Sequence, residues 1–337
     1  MTNLHRLALL GLALAGVNLQ LPAADSPALD DNLKFFTKYL GQWAYKWKNE
    51  TNGQWMSGYI STEIGLGGKT IMFKERLFNG DKTVSSSIGF NYWHPRAKTV
   101  LGWGCGTDGG HACGIQTRYG ENLSGLWLGW DDKGQLGANL GIDEWKDNDT
   151  FVWQATLSST NGIAKPDSQR VIIQRVKKQA FPPEEKPALR DNLKPMERYL
   201  GQWNVEWVEN GKAMKAVTSV TVAAGGTATL ATMSNIVDSV LQPAGWVGIT
   251  YWRSEYDAIA TLDLYGDGGF SESILTKGGD EVVWQETGFT GRGKYKTSVW
   301  RDQWLDQDTF VSQGTQTTEG GEFKPDGPKF SNKRIKP

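Results

Sequence analysis

The sequence is poor in the residues that carry most enzyme chemistry. It has only 2 cysteines and 3 histidines among 337 residues. One histidine, His5, lies in an apolar leader, so only His94 and His111 remain for the rest of the chain. No G-x-S-x-G turn, P-loop or H-E-x-x-H helix occurs. The common signatures of serine hydrolases, phosphate-loop enzymes and zinc peptidases are thereby excluded, and we predict no cofactor and no metal site.

Both cysteines lie in one stretch, LGWGCGTDGGHACG, which allows two uses for them. The residues Asp108-Gly109-Gly110 between them are typical of a hairpin turn. Neighbours across a hairpin can come within disulfide distance. We therefore predict a disulfide between Cys105 and Cys113, because the leader points to an oxidising compartment. The alternative is a metal site with His111, but the spacing matches no usual zinc motif.

The first 24 residues have the form of a secretory signal peptide. His5 and Arg6 precede a short apolar run, and the small residues Pro22-Ala23-Ala24 follow it. The run is shorter than the roughly 20 residues that a spanning helix needs. We therefore expect a secreted or periplasmic protein with no membrane span after removal of the signal.

Charge of neither sign dominates, whereas glycine and tryptophan are abundant. The chain has 36 Lys and Arg against 37 Asp and Glu, without a basic stripe, so we predict no nucleic-acid partner. It also has 41 glycines and 16 tryptophans. Many glycines with many aromatics are typical of strands joined by tight turns. The oligomeric state stays open.

Two long segments of the chain repeat each other. The phrase YLGQW occurs at 39–43 and at 199–203, inside a longer match whose offset is 160 and later 159 residues. A unit of about 150 residues has the size of a domain, not of a solenoid repeat. The Pro-rich segment 179–187 is predicted to be a linker. The predicted domains are therefore 25–178 and 188–337.

Each copy is predicted to be an all-β barrel preceded by a short helix. Trp43, Tyr45 and Trp47 alternate with smaller or polar residues, which is the period of a strand with one buried face. About ten such runs, separated by hairpin turn signals, follow one another in each copy. A meander of this length closes most simply into an up-and-down antiparallel barrel, which leaves no free edge.

Each copy has, in this order, a short helix, Gly-x-Trp on the first strand and an arginine on the last strand. This pattern resembles that of the lipocalins and the wider calycin superfamily. The resemblance implies that the tryptophan closes one end of the barrel and packs against the arginine, an arrangement that cation–π attraction favours. The residues that carry the pattern are Gly41, Trp43 and Arg175 in the first copy and Gly201, Trp203 and Arg334 in the second.

Each half also looks like an uncharacterised bacterial lipocalin-like domain. The matching motifs are Asp-Gly-Gly-Phe at 267–270 and Asp-Thr-Phe-Val-Trp-Gln at 149–154. The second copy departs from the first at Ser312, which replaces Trp153. The threonine-aspartate-tyrosine motif of secreted lipocalins is not evident. These departures are consistent with a function of this family that is kept in only one copy.

The aromatic residues are the best indication of a binding site. Indole rings fill barrels, and they also form the walls of pockets for apolar ligands. A barrel of eight to ten strands has room for one small ligand. The residues that we predict to line such pockets are Trp47, Tyr92, Trp103 and Trp127 in the first copy and Trp207, Tyr251 and Trp284 in the second.

The leading hypothesis is therefore a protein that binds a small, largely apolar ligand in one or both barrels, with no catalytic residue. A second hypothesis is an enzyme at the barrel mouth, an isomerase or a hydrolase. Its base would be His111 or a late aspartate such as Asp143, Asp147 or Asp149, although aspartates before a strand are also ordinary turn residues. A third is a structural module of the cell envelope with plugged barrels.

Overall fold

The computed structural model describes residues 28–49, 52–177 and 187–336. Within them the chain forms two closed antiparallel barrels of ten strands, and a two-residue strand extends each barrel. The predicted all-β, two-barrel architecture is confirmed at this level. The predicted signal peptide, 1–24, lies outside the described residues, as does the predicted linker except for Pro187. None of the helices that are described has both the length and the apolar character required to span a membrane.

The first barrel is formed by strands β1 to β11. A 3-10 helix, Asp31–Tyr39, leads into β1, and a single 3-10 turn, Leu66–Gly68, joins β2 to β3. Each strand pairs with its neighbour in sequence, β11 pairs with both β9 and β1 to close the barrel, and β10 extends β9. The strands are β1 Gly41–Lys48, β2 Trp55–Gly65, β3 Thr70–Asn79, β4 Lys82–His94, β5 Thr99–Gly106, β6 His111–Tyr119, β7 Asn122–Trp130, β8 Leu136–Trp145, β9 Thr150–Thr160, β10 Ile163–Ala164 and β11 Val171–Val176.

The second barrel repeats this order with strands β12 to β22. The 3-10 helix Asp191–Tyr199 leads into β12, and the turn Ala224–Gly226 joins β13 to β14. Strand β22 pairs with both β20 and β12, and β21 extends β20. The strands are β12 Gly201–Glu209, β13 Lys212–Ala223, β14 Ala228–Val237, β15 Val240–Arg253, β16 Ala258–Tyr265, β17 Phe270–Lys277, β18 Glu281–Phe289, β19 Tyr295–Trp304, β20 Thr309–Glu319, β21 Glu322–Phe323 and β22 Lys329–Arg334.

Tryptophan and arginine close one end of each barrel. The Arg175 guanidinium lies 4.2 Å from the ring centre of Trp43 and donates to the Leu40 carbonyl at 2.5 Å. Gly41 has a φ of +114°, and a Cβ there would stand 3.0 Å from Arg175 Nη1, so glycine is required for this approach. Arg334 stacks on Trp203 at the same 4.2 Å. The stacking implied by the lipocalin resemblance is thus present in both copies.

The two barrels pack against each other through the outer faces of β4–β6 and β15–β17. One cluster of buried side chains spans both barrels, and at its centre the rings of Trp103 and Tyr251 lie 4.8 Å apart. Thr227 Oγ1 donates to the Gly106 carbonyl across the interface at 2.8 Å. The apolar cluster and hydrogen bonds such as this one hold the barrels together.

The interface has approximate two-fold symmetry. Tyr92 packs on Phe270 at 5.1 Å, and Tyr251 packs on His111 at 5.0 Å. Tyr251 follows Tyr92 by 159 residues, and Phe270 follows His111 by the same 159 residues. Each barrel therefore presents the same surface to the other, as in an isologous dimer.

Three predicted pocket residues lie in this interface. Tyr92, Trp103 and Tyr251 are buried in the shared cluster and point away from the barrel interiors, contrary to the prediction. Alternation along β4, β5 and β15 correctly groups side chains by face. It does not say which face is inside, because here both faces are buried, one by the barrel and the other by its neighbour.

The predicted disulfide is not formed, because both cysteines are free thiols. In the β5–β6 ladder Cys105 lies opposite His111, and Cys113 lies opposite Trp103. The cysteines are therefore diagonal neighbours, whose Cβ atoms are typically about 7–8 Å or somewhat less apart, against about 4 Å in a disulfide. Cys105 is buried in the interface, and this burial raises the pKa of its thiol.

Candidate functional site

The first barrel contains a cavity of about 600 Å³. Phe36 and Tyr39 of the leading 3-10 helix line it at the end closed by Trp43. Trp47 and Trp153 line it towards the opposite end, where Trp153 is 36% exposed. A cavity of this size falls within the range of small-molecule sites.

Most of the cavity wall is apolar and aromatic. Two of the predicted pocket residues, Trp47 and Trp127, are part of it. The rings of Tyr45 and Trp47 are stacked 5.5 Å apart along β1. The other two predicted residues, Trp207 and Trp284, belong to the apolar cluster inside the second barrel.

Glycines on the inner wall of the first barrel make room for the Trp127 indole, which lines the cavity. A Cβ on Gly102, Gly114 or Gly125 would come within 2.3, 2.7 and 2.4 Å, respectively, of the Trp127 indole. The indole therefore lies flat against bare backbone. At Gly141 a Cβ would stand 3.6 Å from the same indole, which is an ordinary contact.

The second barrel has side chains where the first has these glycines. With the offset of 159 residues, the positions of Gly102, Gly114, Gly125 and Gly141 hold Thr261, Ser273, Trp284 and Trp300. Strand pairing supports the equivalence, since Gly125 lies opposite Gly141 and Trp284 lies opposite Trp300. The interiors of the two barrels have therefore diverged.

A carboxyl group, Glu75 on β3, faces the cavity. It accepts hydrogen bonds from the Tyr45 hydroxyl and from Ser87 Oγ, the latter at 3.3 Å. The barrel wall keeps it from bulk water, and this desolvation raises the pKa of Glu75. Among the described residues that line the cavity there is no lysine, arginine or histidine.

A second carboxyl group, Asp143 on β8, lies near the closed end. It accepts from the Tyr39 hydroxyl at 3.0 Å, and Trp145 Nε1 donates to that same hydroxyl at 3.2 Å. Desolvation raises the pKa of Asp143 to about 7. The second barrel repeats the contact, with Tyr199 donating to Asp302 at 2.9 Å. The tyrosine–aspartate pair is therefore a feature of the fold in both copies.

One buried carboxyl group inside the second barrel, Glu286, is paired with an internal cation. Glu286, at the position of Trp127, lies 3.1 Å from Lys296 Nζ and accepts from Trp300 Nε1 at 2.8 Å. Burial by itself would raise the pKa of Glu286. The Lys296 ammonium and the hydroxyl donors outweigh this effect, and the pKa is lowered. In this network Trp300 stands at the position of Gly141, which lines the cavity of the first barrel.

The histidines do not reach the cavity. His111 stacks on Trp130 at 5.2 Å in the interface, and its Nε2 lies 3.4 Å from Glu255. His94 packs on Phe270 and Phe289 in the same interface. Burial lowers the pKa of His111.

Of the late aspartates, only Asp143 lines the cavity. Asp147 accepts from the Asp149 backbone N–H at 2.8 Å, and Asp149 pairs with Arg175 at 2.7 Å. These two residues therefore serve the turn before β9 and the arginine that closes the barrel. No group of three or more metal-ligating side chains occurs in the described ranges.

Asp143→Asn is expected to weaken the pH dependence of stability. The folded-state pKa, about 7, is above the ordinary value of 3.8, so the folded chain binds more protons between these values. Stability from this group is complete below pH 3.8 and is lost as the pH rises through 7. Urea unfolding at about pH 4.5 and 7.5 should therefore show that the free energy of unfolding falls less in the variant than in the wild type. The difference should be up to roughly 3 kcal/mol. Asp147→Asn, in the exposed turn, is the control, and equal losses in all three proteins would contradict the expectation.

Comparison with known proteins gives little further guidance. No protein-family model matches the chain, and no curated protein sequence matches it. A solved structure of a protein of unknown function from the DUF3598 family of Nostoc punctiforme is similar over 91% of this chain and 100% of its own, at 9% identity and a TM-score of 0.28. A similarity of that size assigns neither a family nor a function.

Proposed function

We propose that this protein binds a small, largely apolar ligand inside its first barrel, as lipocalins do. The observation that carries the proposal is the aromatic cavity of about 600 Å³, whose lining includes Gly125 and Gly141 where the second barrel has tryptophans. A wall that is mainly apolar, with a few polar groups facing inward, is the usual composition of a small-molecule site. No covalent chemistry is needed for this function.

The first barrel is the better candidate of the two. Its inner glycines leave space beside Trp127, whereas the second barrel holds tryptophans at two of the equivalent positions and an ion pair beside them. The second barrel would then act mainly as a scaffold that buries the outer face of the first. The first barrel would then be the ligand-binding domain of the first hypothesis, and the second barrel would have the structural role of the third.

The lipocalin-like character and the location of the protein are part of the same proposal. The Trp43–Arg175 stack and the 3-10 helix whose residues Phe36 and Tyr39 line the cavity support a barrel with one closed end. Secretion or export to the periplasm rests on the leader sequence alone. An exported carrier of small apolar molecules is consistent with both.

Binding is expected to change the intrinsic tryptophan fluorescence. Retinoid, fatty-acid and haem-type probes should be titrated in turn, and at least one class should quench or shift the emission, because Trp47 and Trp127 line the cavity. Trp127→Phe should remove much of the change, whereas Trp284→Phe, a tryptophan inside the second barrel, should not. No change with any of the three classes would overturn the proposal.

One observation favours a second candidate function, acid–base catalysis in the same cavity. The pKa of Asp143 is raised to about 7, which suits a group that exchanges protons near neutral pH. The repeat of its contact at Asp302 favours a structural role instead. Mass spectrometry of a bound ligand after long incubation decides between them, since catalysis requires the ligand to be chemically changed.

A further inference from the structure

We propose that the ligand of the first barrel is an apolar molecule that carries an organic cation, such as a protonated amine, and that Glu75 binds this cation. The inference rests on the proposed binding function and specifies the chemical class of its ligand. Its basis is a carboxyl group that faces an aromatic cavity and has only neutral partners.

The first step is the unfilled capacity of the Glu75 carboxyl. Its two hydrogen-bond donors, the Tyr45 hydroxyl and Ser87 Oγ, are both neutral. A carboxylate can accept about four hydrogen bonds, so acceptor positions remain on Glu75, which lines the cavity. No basic side chain lines the cavity within the described residues. A cation on the ligand would occupy these acceptor positions and neutralise the charge of the carboxylate.

The second step is the contrast with the other barrel. There the buried carboxylate of Glu286 has an internal cation, Lys296, at 3.1 Å. The position of Glu75 itself is taken by Met233, since Glu75 lies opposite Ile60 and Met233 opposite Thr218 in the matching ladder. The barrel fold therefore does not require a carboxyl group at this position. Its presence in the barrel that has the cavity points to a ligand.

The third step is the aromatic surroundings of the carboxyl group. Tyr45 donates to Glu75 and is stacked on Trp47, and Trp127 and Trp153 line the same cavity. Aromatic faces attract organic cations by cation–π interaction, most strongly where water is excluded. An anionic ligand such as a fatty acid would instead meet the carboxyl oxygens of Glu75. The site thus favours cations and disfavours anions of equal size.

Proton release should accompany this binding. Desolvation raises the pKa of Glu75 and so moves the carboxyl towards its protonated form in the empty cavity. When a protonated amine enters, any carboxyl that is protonated loses its proton to solvent, and an ammonium–carboxylate pair forms. No bond in the ligand changes, and up to one proton per bound amine passes to the buffer.

The test compares three probes that share one apolar body. They are 2-(2-naphthyl)ethylamine, 2-(2-naphthyl)ethanol and 2-naphthylacetic acid, each titrated into the full chain by calorimetry at pH 7. The amine should bind at least tenfold more tightly than the alcohol, and the acid should bind most weakly. Glu75→Gln should abolish the preference for the amine and keep the affinity for the alcohol. Glu63→Gln, an exposed position on neighbouring β2, is the matched control and should behave as the wild type.

A second measurement does not depend on any variant. The binding enthalpy of the amine to the wild type should vary with the ionisation enthalpy of the buffer and correspond to release of up to one proton, whereas that of the alcohol should not. Uptake of protons on binding the amine, an amine that binds no better than the alcohol, or a preference that survives in Glu75→Gln would overturn the inference. If the naphthyl probes fail but a retinoid, fatty-acid or haem-type probe binds, only the cation preference falls. If no probe binds, the proposed function falls with it.

Discussion

Replacing Trp103 with alanine is expected to lower the free energy of unfolding by about 3–5 kcal/mol. Trp103 is 1% exposed and lies against Tyr251 of the other barrel at 4.8 Å, in the cluster that joins the barrels. The truncation leaves a large void between two β-sheets that cannot collapse freely. Urea unfolding followed by fluorescence and by circular dichroism measures the loss.

Two comparisons show whether the loss arises at the interface. Trp55→Ala removes a tryptophan that is 65% exposed and should change stability by no more than about 0.5 kcal/mol. A double-mutant cycle of Trp103→Ala with Tyr251→Ala should give a coupling energy of about 0.5–3 kcal/mol, because the rings touch. If Trp103→Ala is as mild as Trp55→Ala, or the coupling is zero, the two barrels do not pack as described.

Features that depend on neighbouring residues in sequence could be predicted well. The alternation of Trp43, Tyr45 and Trp47 with polar residues predicted β1, and the repeat of YLGQW predicted two copies of one fold. The stacking of Arg175 on Trp43 followed from the lipocalin resemblance. Strand period, turn residues and an internal repeat are local signals, and they are enough to define a meander that closes.

Features that depend on how the barrels meet could not be predicted in the same way. Trp103 lies in an alternating strand and is buried, as a pocket residue would be. However, it is the other barrel that buries it, not the interior of its own. The disulfide prediction was wrong for a related reason. The strand register makes the two cysteines diagonal neighbours, and a shift of two residues would be needed to place them opposite each other. Neither the contact partner nor the register is encoded by composition or spacing.

The residues that distinguish the first cavity were missed, although comparing the two copies would have found them. Glu75 stands where the strand register places Met233 of the second copy, and Gly141 stands where the offset of 159 residues places Trp300. The prediction considered only the tryptophans. A cavity also depends on positions where side chains are small or absent. Once two domains share a fold, the inward positions at which they differ indicate which of them holds a ligand.

Gly141→Trp is expected to weaken ligand binding to the first barrel by at least about 100-fold, equivalent to roughly 3 kcal/mol, while the barrel stays folded. A Cβ at this position would stand 3.5 Å from Trp153 Nε1 and 3.6 Å from Trp127 Nε1, both ordinary contact distances. Its backbone is not left-handed. The second barrel already holds Trp300 at the equivalent position on β19. The substitution therefore places an indole that this fold accepts into the space that the ligand would need.

Leu140→Trp is the matched control, because Leu140 is the preceding residue on β8 and its side chain points to the opposite face of the sheet. It adds an indole to the same strand outside the cavity and should leave binding unchanged. Affinity is measured for whichever retinoid, fatty-acid, haem-type or naphthyl probe binds the wild type, and circular dichroism reports folding. Binding that survives in a folded Gly141→Trp variant would place the ligand outside the first barrel. Loss in both variants would mean that the strand, not the cavity, had been perturbed.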